Sequence, residues 1–460
     1  MAKLEQDLTQ GNVMRKLLSF GLPMFLANAL TTLYSIVDMI IVGQFIGSTG
    51  ISAVTTGSQF MFILTCVGMG FANGGQVVIA QLKGADNREG QRQTIGTLLS
   101  LSLLIGLAVS VVGVVAVGPA LGMLNTPPEA WEQAKDYMII TSAGMFLQFF
   151  FNAISSVMRG LGDSTRPLIF VAIAASVNIV LDIIFVGPLH MGAGGAGLAT
   201  TIAIGLSAAF GVVYLYRRRA SFVFDFKRDS FRIRRVWLRE LMRMGIPQIV
   251  QMLAINISLT FVLALANAYG VAASATIGVG NKIINIFTMP ANAMGTASVS
   301  MAGQNVGAGK LDRVKTVLRW TLLVNLCFSI LAAIFFALVP EWLVRIFDRS
   351  DDIVQYCSDF LRIHIIFCLG IGLITTYNAP VLGTGNAILS TVGFLTDGVV
   401  ARLALCVLLT MVFDFGLYGL FWANALGPVF GAAIFMVYYY SGAWKRYKRQ
   451  PARDAEEPQA

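Results

Sequence analysis

Apolar stretches long enough to cross about 30 Å of hydrocarbon, separated by short polar clusters, run the length of this chain, and that pattern restricts where it can fold. Read coarsely, they are Leu17–Phe45, Ile51–Leu82, Thr94–Val117, Tyr137–Met158, Pro167–Val186 and Ala196–Tyr216, then Leu241–Ala268, Ala272–Gln304, Thr316–Val339, Ile353–Leu382, Ile388–Val412 and Gly419–Tyr440. Within lipid the backbone must satisfy its own hydrogen bonds, so segments of this length are helices. The expected fold is therefore an all-α integral membrane protein with about twelve transmembrane helices. Composition agrees: 56% of the 460 residues are hydrophobic and 12% charged. Gly and Pro recur inside the stretches, as is ordinary for transmembrane helices.

A formal charge of +9 invites a nucleic-acid reading, and the placement of the basic residues answers it. They cluster in alternate loops: Arg15 and Lys16; Lys83, Arg88 and Arg92; Arg159 and Arg166; the run from Arg217 to Arg243; Lys310, Arg313 and Lys315; and Lys445 to Arg449. The intervening loops carry almost none, apart from Arg345 and Arg349 among several acids. This positive-inside pattern predicts a multi-pass protein of the cell (inner) membrane with both termini cytoplasmic, and no nucleic-acid partner. The five cysteines, scattered and without metal or redox spacing, read as small apolar fillers. The first apolar segment is too long for a cleavable signal and reads as a span.

The longest polar stretch divides the chain into two sets of six helices that echo each other. Ser19–Pro23 resembles Arg243–Pro247, Gln81–Ala85 resembles Gln304–Ala308, Gly160–Asp163 resembles Gly383–Asn386, and Gly194–Leu198 resembles Gly416–Leu420. All four pairs share an offset of roughly 223 residues, the mark of an internal repeat. An even helix count makes the repeats parallel, with two pseudo-symmetric lobes able to rock about a site. The expected organisation is an N-lobe over residues 1–216, a cytoplasmic basic loop over 217–240, a C-lobe over 241–444 and a cytoplasmic tail over 445–460.

A charged side chain in hydrocarbon costs at least a few kcal/mol, so each one needs a reason. Asp38 on the first helix and Asp182 on the fifth fall at similar depth in the outer half of the bilayer. Tyr34 and Asn178 stand one turn before them on the same faces. Thr200 and Thr201 open the sixth helix, and Asn152 on the fourth is a looser candidate. Two carboxyls in a poorly solvated pocket cannot both ionise cheaply, so the pair suits proton exchange. The same oxygens at Asp38, Asp182 and Asn178 also suit Na⁺. The second half lacks an equivalent pair. Gln248, Gln251 and Asn256 are its polar side chains on the seventh helix; Asp397 and Arg402 on the eleventh are expected to neutralise each other or a neighbour, or to take a substrate or gating role; and Lys282, buried in apolar sequence, reads as a coupling charge or a lobe-packing counter-ion, with packing favoured. His190 and His364 have no partner spacing.

Pro23 with Tyr34 and Asp38, the Gly160-Leu-Gly-Asp163 turn, Asn178 with Asp182, and Gln304 to Gly307 together resemble the MATE (multidrug and toxin extrusion) transporters, closest to the prokaryotic DinF-like and MepA-like branch. The resemblance covers about Gly11 to Lys445. It implies a twelve-helix, two-lobed antiporter, expected to work as a monomer without a cofactor. Such a protein expels organic cations or amphipathic xenobiotics by alternating access on an H⁺ or Na⁺ gradient. It implies an N-lobe cavity lined by Tyr34, Asp38, Asn178, Asp182 and Thr200, with Pro23 letting the first helix bend. No acid stands mid-way along the seventh or tenth helix, where NorM-type relatives hold a cation, which moves the coupling expectation to the N-lobe and favours protons over sodium. A lipid-linked precursor flippase of related architecture is the alternative, disfavoured because the basic residues lie in loops. An integral-membrane enzyme is the alternative of another class, and no nucleophile or metal constellation supports it.

Overall fold

The computed structural model describes residues 6–219 and 223–447, and its regular structure among them is helical. In chain order the first repeat holds α1 (Val13–Ile46), α2 (Ser48–Gly84), α3 (Arg88–Met123), α4 (Pro128–Ala143), α5 (Met145–Gly160), α6 (Thr165–Val186) and α7 (Gly192–Arg217). The second holds α8 (Arg235–Asn267), α9 (Val271–Gly307), α10 (Leu311–Leu338), the short α11 (Pro340–Arg345), α12 (Asp351–Ile363), α13 (Ile365–Gly383), α14 (Ala387–Leu395), α15 (Arg402–Val407), α16 (Gly416–Tyr440) and α17 (Ala443–Arg446).

Ten described helical stretches are long and apolar enough to cross a membrane, eleven when α4 and α5 are joined across their 48° bend. α9 stands where the eighth expected span lies and has 37 residues, yet is too polar to join them. The fourth expected helix starts earlier than read, at Pro128, whose missing N–H costs nothing at a helix start, and it breaks at Gly144. The tenth breaks likewise at His364.

The repeat is visible in local geometry. Gly162 and Gly385 both take positive φ, 91° and 88°, conformations open to glycine without strain. Each turn then delivers a capping side chain: Asp163 Oδ1 accepts from the backbone N–H of Thr165 and Arg166, and Asn386 Oδ1 accepts from Leu389 N–H. Burial pushes the Asp163 carboxyl up from its ordinary value, against the pull of the Arg166 guanidinium 2.8 Å away.

The chain packs as two units that do not follow chain order at their edges. One gathers Leu26–Ile249; the other gathers Asp7–Phe25 with residues 250–447. The expected lobe boundaries at 216 and 241 therefore differ from the packing: the start of α1 belongs with the second repeat and the start of α8 with the first. In the second unit, Leu8 N–H donates to Gln304 Oε1 at 3.0 Å, Asn305 Nδ2 donates back to Leu8 O, and Phe20 buries against Met294 and Ala297. In the first, Gly245 fits against Phe71 so closely that an added Cβ would lie 2.7 Å from the ring. Close approach through small residues replaces the hydrophobic drive that lipid removes between helices.

The segment expected as a basic inter-lobe loop is shorter than 217–240, because α7 runs to Arg217 and α8 begins at Arg235. Its described part is strapped to α3. Phe231 O accepts from Ser100 Oγ at 2.7 Å, and Phe224, Phe226 and Phe231 pack edge to face. Asp225 accepts from Ser230 Oγ at 2.5 Å and pairs with Arg92 at 3.3 Å, and these contacts, the hydroxyl first, hold its carboxyl below the usual range. The far tail, from residue 448, lies outside the described residues.

Candidate functional site

Asp38 on α1 and Asp182 on α6 come together inside the first unit, their carboxyls within hydrogen-bonding reach of each other. Asp182 is fully buried, and as carboxylates neither acid offers the other a donor, so both Asp182 oxygens and Asp38 Oδ1 stand without a partner. One proton held between them turns an unsatisfied contact into a hydrogen bond. A small hard cation is the other way to satisfy the same oxygens. Among the described residues no group of three or more His, Cys, Asp or Glu side chains converges, so a cation here would draw the rest of its shell from neutral oxygens.

Those neutral oxygens are close. Asn178, one turn before Asp182, lies beside its carboxyl and donates through Nδ2 to Thr200 Oγ1 on α7 at 3.3 Å, leaving its own Oδ1 unpartnered. Tyr34, one turn before Asp38, lies near both acids. Sequence reasoning missed Tyr137 on α4, whose hydroxyl is within reach of Ser58 on α2 and which lies near Asp38, Tyr34 and Asp182. Gly57 makes room for it, since a Cβ there would lie 2.4 Å from the Tyr137 ring. The available signal was a tyrosine at the start of an apolar stretch, one turn before Thr141. One turn beyond the acids along α1 and α6, Ile41, Val42 and Val186 belong to a buried apolar cluster with Val54, Ala193 and Ala196.

Other predicted residues stand apart from this group. Asn152 on α5 accepts from Gln148 Nε2 on its own helix at 3.2 Å, and its Nδ2 has no partner. Thr201 donates to Gly197 O and packs against Gly144 at the α4–α5 break. Pro23 falls in the part of α1 that belongs to the second unit, with helix on both sides, and removes the N–H that Ser19 O would accept.

In the second unit Asp397 and Arg402 form a buried ion pair at 3.3 Å. The Thr396–Ala401 segment is wound as a π-helix, which returns residues five apart to one side and so lets the two meet. An added Cβ at Gly427 on α16 would lie 2.6 Å from Asp397 Oδ1, so glycine there leaves room for the carboxylate. Next to them His364 is fully buried, its Nδ1 2.8 Å from Phe360 O and its Nε2 3.1 Å from Asn424 Nδ2. Gln251 Oε1 has no partner, and Asn256 donates to Met252 O on its own helix. Lys282 contradicts the expectation of a buried counter-ion. Its side chain is exposed on α9 and pairs with no described carboxylate, because it leaves the helix on the face turned away from the packed residues Ile283 and Ile284.

The sequence pattern of the MatE family matches residues 23–184 and again 247–408, one match per repeat. The chain belongs to the MatE family. The matches span the expected site residues from Pro23 to Asp182 and from Gln251 to Arg402, while Thr200 lies between them. The chain is 28% identical over 446 residues to the probable multidrug resistance protein YpnP of Bacillus subtilis, covering 96% of this chain and 98% of that one. It is 24% identical to the probable multidrug resistance protein NorM of Thermotoga maritima, with 94% of each covered. Its fold is that of a solved outward-facing multidrug resistance MATE family transporter of the MOP superfamily, with a TM-score of 0.88 at 22% identity over 95% of this chain and 98% of that one.

Proposed function

We propose that this MatE-family protein exports organic cations or amphipathic xenobiotics from the cytoplasm across the inner membrane by alternating access, coupled to proton entry through Asp38 and Asp182. One observation carries the reading: two facing carboxyls, Asp182 buried and Asp38 half-buried, with no donor between them, a contact that one proton satisfies and its loss disrupts. A group that must exchange a proton to change its contacts gives an ion gradient something to act on. The names of the relatives, probable multidrug resistance proteins, support the substrate class. The alternating basic loops support cytoplasmic termini. We assign the working form to the monomer, since each repeat supplies one lobe.

The deciding experiment reconstitutes the full chain in liposomes loaded with a fluorescent organic cation. Proton coupling predicts that a pH step of the correct polarity drives dye movement in sodium-free buffer, and that collapsing the step stops it. Movement that ignores the pH step and needs a sodium gradient would make the same oxygens a coordination shell and overturn the proton assignment.

A further inference from the structure

α9 is the one expected span that is too polar to rank with the apolar helices, and its exposed polar side chains fall along one line while Thr276, Thr288 and Ser298 are buried. At 100° per residue, Ser274, Gly278, Lys282, Asn285, Asn292 and Thr296 stack along a single stripe, with Asn281 at its edge, over about 33 Å of helix. Gly278, Lys282, Asn285 and Asn292 are exposed, while Ile283, Ile284, Ala291 and Met294 beside and behind the stripe are buried. The Lys282 ammonium and the Asn281, Asn285 and Asn292 carboxamides make no side-chain hydrogen bond or ion pair with any described residue.

A stripe of that length facing lipid would strand three carboxamides in hydrocarbon, each costing a few kcal/mol, beside an ammonium costing about as much or more. A lysine near a helix end can reach the interface, but short asparagine side chains further along the same line cannot follow it. The stripe therefore faces water. In the first repeat the matching face of α2 carries Thr55, Ser58, Gln59 and Phe62, so the roughly 223-residue offset places neutral Gln59 where Lys282 stands. The first unit holds a pair of facing acids, and the second turns the Lys282 ammonium to water.

From this geometry we infer that the α9 stripe is a binding site for an anionic oxygen group, a carboxylate or phosphate, with Lys282 as its charge and Asn281 and Asn285 as neutral donors within one turn of it. An exposed ammonium without a carboxylate partner repels a purely cationic ligand and gains a charge-assisted hydrogen bond from an acidic one. The cargo of the proposed exporter thus includes amphipathic molecules that bear an acid. This rests on the export reading only in naming the ligand as cargo.

The test is equilibrium binding by the purified full-length protein in nanodiscs, without any gradient. The probes are a rhodamine dye with a free benzoate and the methyl ester of the same dye. Lys282→Gln is expected to weaken the free-acid dye about tenfold, the size of one charge-assisted contact, and to leave the ester within about twofold. Lys282→Arg keeps the discrimination, and because binding is read without a gradient, failure of coupled efflux and failure of this site read out separately. Nanodiscs with and without phosphatidylglycerol distinguish a lipid phosphate from a free ligand. If Lys282→Gln loses co-purifying phosphatidylglycerol and the dye pair is unmoved, the anionic group is a headgroup. If neither dye discrimination nor bound lipid changes, Lys282 only reaches to the interface and the site does not exist.

Discussion

Asp182 has little latitude in the first unit: it is fully buried, faces a second acid, and neither of its oxygens has a donor. Replacing it by Asn keeps the size and supplies the missing donor while removing the ionisable group. Asp182→Asn is therefore expected to insert and fold as well as the parent, and to lose gradient-driven efflux to background, at least about tenfold. Asp38→Asn should do the same. Tyr137→Phe keeps the ring against Gly57 and loses only the hydroxyl near Ser58, so a fall of a few fold is expected. Dye efflux from liposomes, normalised to protein recovered as a single chromatographic peak, measures all three. Wild-type coupled transport by either Asn variant would remove that acid from the coupling site.

Among the elements, the π-wound turn of the second unit makes the sharpest energetic claim. It brings Asp397 and Arg402 within 3.3 Å in a buried site, while Arg402 Nε and Nη1 are left without partners. Removing one member of a buried pair leaves the other uncompensated, at about 3–5 kcal/mol, whereas replacing both with apolar residues of similar volume is often neutral. Arg402→Met should thus lower the unfolding midpoint in detergent strongly, and Arg402→Met with Asp397→Leu should recover most of it. A double variant no more stable than the single would show that the charges do more than cancel each other. Either pattern is read by thermal unfolding without reference to transport.

For the molecule as a whole, the exchanged helix starts bear on folding. Each packing unit borrows a segment from the other repeat: Asp7–Phe25 joins the second, and the stretch of α8 up to Ile249 joins the first. A chain cut after Arg219 therefore yields two halves that each lack part of their own unit. Expressed alone, either half is expected to be degraded or to elute as aggregate, and co-expression should recover a monodisperse complex. Size-exclusion chromatography of a tagged N-terminal half reads the result; a monodisperse half on its own would show that the borrowed α8 segment is dispensable.

The all-helical membrane fold, the internal repeat and the juxtaposition of Asp38 with Asp182 were legible in the sequence, because lipid penalises each charge and each broken backbone bond locally, and such penalties can be read residue by residue. The turn pairs Gly162 with Asp163 and Gly385 with Asn386 were equally legible, since both conformation and cap are set within a few residues. Tertiary structure decided what depends on distant chain. Tyr137 joins the acids only because α4 packs on α2 at Gly57, and the lobe edges move because the starts of α1 and α8 pack with the opposite repeat. Asp397 and Arg402 meet because their helix is underwound into a π-turn opposite Gly427, and the direction in which Lys282 leaves α9 follows from which face its neighbours bury. Hydropathy marks a side chain as costly in lipid; only packing shows whether a partner or water relieves the cost.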